Sequence, residues 1–304
     1  MICGSVPDAS FPLTEGHWRL HGNLLYPDGD GSPLSVQRGT PALLGTTLLV
    51  CSSLGIEPPS AMLVGDIGDG KGSRDLYAHL AASLPHAGLK GLTFHYLFPD
   101  LDGHNRVFMA LEETEPRPLL VADAGFMYVA KMSGYADAYD LFTPDVGELA
   151  FLADEKAPHP FYTRGFLLAS EDDVPGLVER AFHHGNAARF LLVKGKTDHI
   201  VEQGHFLAEV DTPSVPTLEP IGGTGDLVTG LVTGLLASGM DMPTACLTAA
   251  RASRITGLLA SPTPATQIAE LLPFVPAALQ QAISLLPDTG TSPFTSTKNA
   301  PISR

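Results

Sequence analysis

The sequence predicts an α/β fold of three layers, a mostly parallel central sheet with helices on both faces. Three observations point there. Short apolar runs of strand length alternate along the chain with segments whose apolar residues recur at helical spacing. Several of the runs end in an acid, a lysine or a glycine-rich turn, as buried parallel strands do where they reach a ligand crevice. No internal repeat or linker interrupts the 304 residues. Residues 1–286 are therefore expected to form one domain, followed by a Ser/Thr/Pro-rich tail over 287–304.

Residues 1–33 are rich in Gly, Pro and Asp and offer one short strand candidate, Trp18 to Tyr26. From Thr40 to Leu54 the apolar positions Leu43, Leu44, Leu48, Cys51 and Leu54 fall at helical spacing, with Pro41 near the start and Gly55 past the end. Ala61 to Val64 reads as a strand, and Leu76, Tyr77, Leu80 and Leu84 mark the helix after it. Between them Gly65 to Ser73 nearly spells a P-loop, but Gly72 stands where the magnesium-holding Ser/Thr belongs, and Asp66 and Asp69 would oppose phosphates, so a plain strand-to-helix turn is expected. Leu92 to Phe98 is a strand candidate, and Pro118 to Gly125 is an apolar run ending in an acid, as a buried parallel strand would, with a helix around Arg106 to Leu111 between them. Asp140 to Thr143 is a short strand, turned by Pro144 to Glu148 into the helical Leu149 to Leu152. After a Pro/His-rich loop come a helix from Val174 to Phe182, a strand from Phe190 to Val193 and a hairpin from His199 to Val210 turned at Gln203-Gly204. A helix beginning near Leu227 is then partnered by the Ala-rich Pro243 to Ala260.

Composition narrows function. At 44% hydrophobic and 17% charged residues, with no run of eighteen apolar residues, a soluble cytoplasmic protein that does not enter the membrane is expected. A formal net charge of −15 argues against nucleic acid and anionic membrane as partners. It does not oppose a phosphate-bearing ligand held by backbone N–H groups, a lysine and a divalent cation. Cys3, Cys51 and Cys246 lack zinc-ligand spacing and read as reduced thiols, and the eleven histidines are scattered and read as structural or solvated.

The stretch Pro220 to Gly230 carries the most chemistry. Gly222, Gly223, Thr224 and Gly225 lead straight into an apolar helix, and a helix N-terminus with free N–H groups is an anion site. An aspartate there opposes a bound phosphate, so Asp226 makes better sense as a base beside a group about to receive a phosphoryl. The plainer alternative makes Asp226 a first-turn acid that answers the helix dipole. Gly230 and Gly234, on one face of that helix, suggest close helix packing. Asp123, Thr143 to Glu148, Lys194 to Thr197 and Gly222 to Asp226 all lie at strand-end turns, which one crevice along the carboxyl edge could gather.

These turns resemble those of the ribokinase-like superfamily, and within it the ATP- or ADP-dependent NAD(P)H-hydrate dehydratases. The resemblance rests on Val121-Ala122-Asp123-Ala124, Thr143-Pro144-Asp145-Val146-Gly147-Glu148, Val193-Lys194-Gly195 and Gly222-Gly223-Thr224-Gly225-Asp226, in order between about residues 40 and 260. It implies phosphoryl transfer from ATP or ADP to a substrate hydroxyl, with elimination of phosphate to regenerate the dihydronicotinamide. By that resemblance Asp226 is the base and Gly222, Gly223 and Gly225 form the N–H cradle. Glu148 organises Mg²⁺ through water, Lys194, Gly195 and Thr197 face the nucleotide, and Asp123 lies on the substrate side. Glu148 as a first-turn helix acid and Lys194 as a solvated strand end remain the structural alternatives. The chain departs from the family at Asp145 and Val146, where a histidine and a proline are usual, and over Asn23 to Gly39. A ribokinase-like kinase of a sugar, vitamin precursor or similar alcohol is thus the second reading, and a nucleotide-binding protein without turnover the third. Self-association into a homo-oligomer is expected.

Overall fold

Nine strands form one sheet and three more a small second sheet in the computed structural model, which describes residues 1–29, 31–157 and 173–287. The expected tail from 288 onward and most of the Pro/His-rich loop before Val174 lie outside the described residues. The large sheet is built from β1 (Ile2–Val6), β2 (Thr14–Gly16), β6 (Ala61–Gly65), β7 (Gly91–His95), β8 (Leu119–Asp123), β9 (Leu141–Phe142), β10 (Phe190–Val193), β11 (Asp198–Glu202) and β12 (His205–Val210). Its order is β12-β11-β10-β9-β8-β7-β1-β6-β2. The six strands from β10 to β6 run parallel, and β2, β11 and β12 pair antiparallel at the edges. The small sheet joins β3 (Trp18–His21), β4 (Leu24–Pro27) and β5 (Leu34–Ser35).

Strand residues alternate between two cores, as a sheet covered on both faces requires. Ala61 and Leu63 face α1 (Thr40–Leu54), α7 (Thr224–Ala237), α8 (Met242–Ala260) and α10 (Val275–Ser284). Met62 and Val64 face α2 (Lys71–Ala87), α3 (Leu101–Glu112), α4 (Gly125–Met132), α5 (Val146–Ala153) and α6 (Val174–His183). A short α9 (Ile268–Leu271) precedes α10. The three-layer expectation holds, and α1 spans the expected residues, with Pro41 in its first turn and Gly55 closing it by N–H bonds to Cys51 and Ser52 carbonyls.

The differences have local causes. Trp18 to Tyr26 is two strands, because Gly22 takes a left-handed turn and folds β3 back on β4. The strand expected over Leu92 to Phe98 stops at His95, where Tyr96 turns left-handed at φ 52°. Helix α3 starts earlier than expected, at Leu101, because Asp100 caps it by accepting from the Gly103 N–H. The glycine-rich turn before α2 holds its own anion. Asp66 accepts from the N–H groups of Gly68, Gly70 and Ser73 and from the Ser73 hydroxyl, filling the place a phosphate would take in a P-loop.

Strand order sets the site. The chain passes from β1 outward to β6, crosses back to β7 and then proceeds through β8, β9 and β10 away from β1. Connections therefore diverge between β1 and β7, and in an open parallel sheet a crevice opens at the carboxyl ends of such a strand pair.

Candidate active site

His95 ends β7 and Asp123 ends β8, so both stand at that carboxyl edge. Two helix N-termini meet them, α1 beginning at Thr40 and α7 at Thr224. They are held together because α1 and α7 pack unusually close. A Cβ on Gly230 would lie 2.5 Å from the Leu43 carbonyl oxygen, and one on Gly234 2.6 Å from Val50, so glycine spacing lets the two backbones touch. The Thr47 hydroxyl adds a bond across the contact to the Gly230 carbonyl, 3.0 Å.

Asp226 is only 7% exposed and does not cap its own helix. Its Oδ1 is 3.0 Å from Nε2 of the fully buried His95, and its Oδ2 accepts from the Gly39 N–H at 2.5 Å. Asp226 stands in the first turn of α7, as the plainer reading has it, and its carboxylate is at the same time directed across the crevice to α1 and β7. Burial pushes the Asp226 carboxyl up, but the His95 hydrogen bond and charge, the Gly39 N–H and Lys194 together hold it below the ordinary value. The group is thus a carboxylate at neutral pH. His95 Nε2 must then carry hydrogen, while Nδ1 meets the Thr40 hydroxyl at 3.0 Å.

The second carboxylate is Asp123. Its Oδ1 pairs with Lys194 Nζ at 2.8 Å, its Oδ2 accepts from the Thr229 hydroxyl at 2.5 Å, and His95 Nε2 lies 3.7 Å from it. Asp226, Thr229 and Thr233 are spaced along one face of α7, and they meet His95, Asp123 with Thr143, and Thr93 in turn. A polar seam thus runs down an otherwise apolar helix, each member bonded as a buried polar group must be. Lys194 follows β10, its backbone paired beside Asp145 and its N–H on the Pro144 carbonyl. Burial would lower the Lys194 ammonium, but Asp123 and Glu148 hold it well above its ordinary range, so it is charged. A Cβ on Gly225 would lie 3.3 Å from Lys194 Nζ, which places the ammonium against the first turn of α7.

Four turns named from sequence therefore converge. The N-cap of α7 is Gly223, which has no capping side chain, so the first-turn N–H groups remain for an acceptor outside the helix. Gly222 is exposed, and Gly223, Thr224 and Gly225 are partly exposed. Glu148 is the third residue of α5, in a capping box with Asp145; it accepts from the Asp145 N–H at 2.8 Å and from the Tyr128 hydroxyl at 3.3 Å. The first-turn role is real, and the same carboxyl also feels Asp123 and Lys194. Burial and Asp145 raise its pKa. The Lys194 to Thr197 turn is held by the buried Arg254, which pairs with Asp198 at 2.8 Å and donates to the Gly195 and Lys196 carbonyls. Gly195 N–H is taken by Asp198, 3.0 Å.

Several site residues carried no sequence signal. His95 sits inside an apolar run, Thr40 reads only as a helix start, and Arg38 and Gly39 fall in the stretch from Asn23 to Gly39 where the chain departs from the family. Arg38 is exposed and packs its stem on Gly222, where a Cβ would lie 3.3 Å from Arg38 Cδ. The one available hint was on α7, where an acid and two threonines, Asp226, Thr229 and Thr233, recur at helical spacing within an apolar helix.

A family model described as NAD(P)H-hydrate dehydratase matches residues 100–273. An uncharacterized protein of Methanocaldococcus jannaschii, MJ1337, is 34% identical over 242 residues, covering 79% of this chain and all of that one. Among solved structures, a ribokinase-like superfamily protein of Enterococcus faecalis matches with a TM-score of 0.53 at 16% identity, over 79% of this chain and 82% of that one. The pyridoxal kinase of Staphylococcus aureus, solved with AMP-PCP and pyridoxal, matches with a TM-score of 0.51 at 14% identity, over 83% and 85% of the two chains.

Proposed function

The chain belongs to the NAD(P)H-hydrate dehydratase family within the ribokinase-like fold, and from that premise we propose that it transfers a phosphoryl group from ATP or ADP to the hydroxyl of hydrated NAD(P)H and eliminates phosphate. The observation that carries this is the posture of Asp226. It is an ionised carboxylate directed across the crevice at the start of an uncapped helix, beside a lysine that is already paired. Pure anion binding has no use for that charge, whereas a hydroxyl giving up its proton does.

In this reading the substrate hydroxyl donates to Asp226, whose two oxygens each keep a free lone pair beside His95 and Gly39. The N–H groups of Gly222 to Gly225 meet the negative charge of the transferred group. Arg38, along Gly222, adds positive charge at the same edge, and Lys194, with Gly195 and Thr197, faces the nucleotide phosphates. Asp123 orients Lys194 and closes the substrate side with His95. After transfer the ring C–O bond of the phosphate ester breaks and phosphate leaves with the bonding pair, while the neighbouring ring carbon gives up a proton to the departing phosphate or water as the dihydronicotinamide double bond forms. The pyridoxal kinase of similar fold was solved with AMP-PCP, in keeping with a nucleotide as the phosphoryl donor.

Mg²⁺ fits the Glu148 side of the crevice. Glu148 and Asp145 supply oxygen donors only, and burial with the Asp145 charge makes the Glu148 carboxylate costly until a cation arrives. A divalent cation there would neutralise nucleotide phosphate charge. The cluster of His95, Asp123 and Asp226, whose donor atoms lie within 4.8 Å of one another, suits Mg²⁺ poorly, because it includes an imidazole and Lys194 already occupies the cation's place on Asp123. The departures at Asp145 and Val146 favour keeping the small-molecule kinase as the second reading.

The test is an assay with hydrated NADH plus ATP and, separately, ADP, following reduced-nicotinamide absorbance and phosphate release. Asp226→Asn should bind nucleotide with near wild-type affinity and lose turnover by a factor of at least about 10². Nucleotide consumption that leaves a stable phosphorylated product would select the kinase. A fully active Asp226→Asn would rule out both.

A further inference from the structure

We propose that Tyr96 is the specificity-determining residue of this site, packing its ring face on the unsaturated ring of the substrate while the substrate's hydroxyl faces Asp226. The inference rests on the reading of Asp226 above and narrows it to alcohols carried on an unsaturated ring, as against open or saturated sugars.

The backbone gives the first reason. Tyr96 has φ 52°, a left-handed conformation that a bulky side chain adopts at a cost. It is locked there by the Ser5 hydroxyl, which donates to the Tyr96 carbonyl at 2.5 Å, and by the His95 ring, edge-on with centroids 4.5 Å apart. Ending a strand does not require this, since glycine or asparagine turns left-handed more readily. What the conformation achieves is side-chain direction. His95 is buried at 0% exposure, and the next side chain is turned out to 51% exposure at the mouth of the same crevice. Strain concentrated at such a position is a pointer to function.

The surroundings give the second reason. A Cβ on Gly39 would lie 3.8 Å from Tyr96 Cδ2, so the ring flanks the residue whose N–H holds Asp226. Burial first, and then the charges of Asp226, Asp123 and Glu148 against that of Lys194, push the Tyr96 phenol up, so the site's charged groups act on it. Its hydroxyl has no hydrogen-bond partner among the described residues. A half-exposed aromatic face beside the base is a ready platform for a second ring, and stacking of this kind tolerates changes in ring substituents. Lys194 and the N–H cradle, on the α7 side, are left for the phosphates.

Three variants test the idea with hydrated NADH as substrate and NADH fluorescence as a direct measure of binding. Tyr96→Phe keeps the ring and should hold KM within about threefold of wild type. Tyr96→Ala and Tyr96→Asn remove it; both should raise KM about tenfold or more and weaken NADH binding in parallel, with kcat changed less than about threefold. Asparagine accepts the left-handed backbone, so Tyr96→Asn should keep the wild-type unfolding midpoint to within a few degrees. A folded Tyr96→Asn with unchanged KM and unchanged NADH affinity overturns the proposal, as does a loss confined to kcat. The two readings fail separately. An enzyme that dehydrates hydrated NADH regardless of residue 96 loses the stacking alone; Tyr96-dependent NADH binding without dehydration keeps the stacking and removes the dehydratase.

Discussion

Remove the imidazole of His95 and Asp226 keeps burial, which raises its pKa, while losing the hydrogen bond and charge that most strongly lower it. The carboxyl of a His95→Phe variant should therefore titrate higher. As a base Asp226 acts only when ionised, so the acid limb of the kcat/KM profile should move to higher pH. His95→Gln, which can still donate but carries no charge, should lie between. A merely structural role for His95 would lower activity at every pH and leave the limb in place.

At the scale of elements, the α1–α7 contact carries the site, because Gly39 and Thr40 open one helix and Asp226 opens the other. Gly230→Ala drives a methyl toward the Leu43 carbonyl, which belongs to backbone and cannot swing aside. Alanine gains up to about 1 kcal/mol of helix propensity, whereas overpacking of this kind costs about 1–3 kcal/mol. Calorimetry should show a lower unfolding midpoint, and kcat/KM should fall with it as the Gly39–Asp226 bond is stretched. A midpoint at or above wild type would mean the helices can part freely. Elements like these were legible where a local pattern defines them. The period and Pro41/Gly55 punctuation gave α1, and the apolar run closing on Asp123 gave β8. The four turns could be gathered because parallel strands end on one edge. Strand β1, central to the sheet, was not legible. Ile2-Cys3-Gly4-Ser5-Val6 has no alternation, and its small residues answer a tertiary demand, with a Cβ on Gly4 lying 2.6 Å from Thr40 and 2.7 Å from the His95 carbonyl. Likewise, His95 meets its partner 131 residues away, through strand order that no local spacing encodes.

For the whole molecule, two groups on the same side of the sheet titrate in opposite directions, His104 in the core and Glu148 at the crevice edge. On the α2–α6 side His104 is 1% exposed, and burial lowers its pKa from 6.5 to about 4. The unfolded chain then binds the proton more tightly, so this group's contribution is present above pH 6.5 and is lost as pH falls toward 4, by up to about 3 kcal/mol. At the crevice, burial and Asp145 raise Glu148 from 4.5 to about 8. Here the folded state holds the proton longer, so the contribution is present below pH 4.5 and is lost as pH rises through 8. Between about pH 4.5 and 6.5 the two slopes oppose each other, and Asp226, held below its ordinary value of 3.8, begins to matter only in more acid solution. Unfolding midpoints should therefore form a plateau over that range and decline on both sides. His104→Phe should turn the plateau into a decline that sets in from about pH 4.5 upward, and Glu148→Gln should flatten the alkaline decline. A cation bound by Glu148 favours the ionised form, so Mg²⁺ with nucleotide should also shrink the alkaline decline in the wild type and leave Glu148→Gln unchanged. An alkaline decline that survives Glu148→Gln would place its origin elsewhere and remove this support for a metal at Glu148.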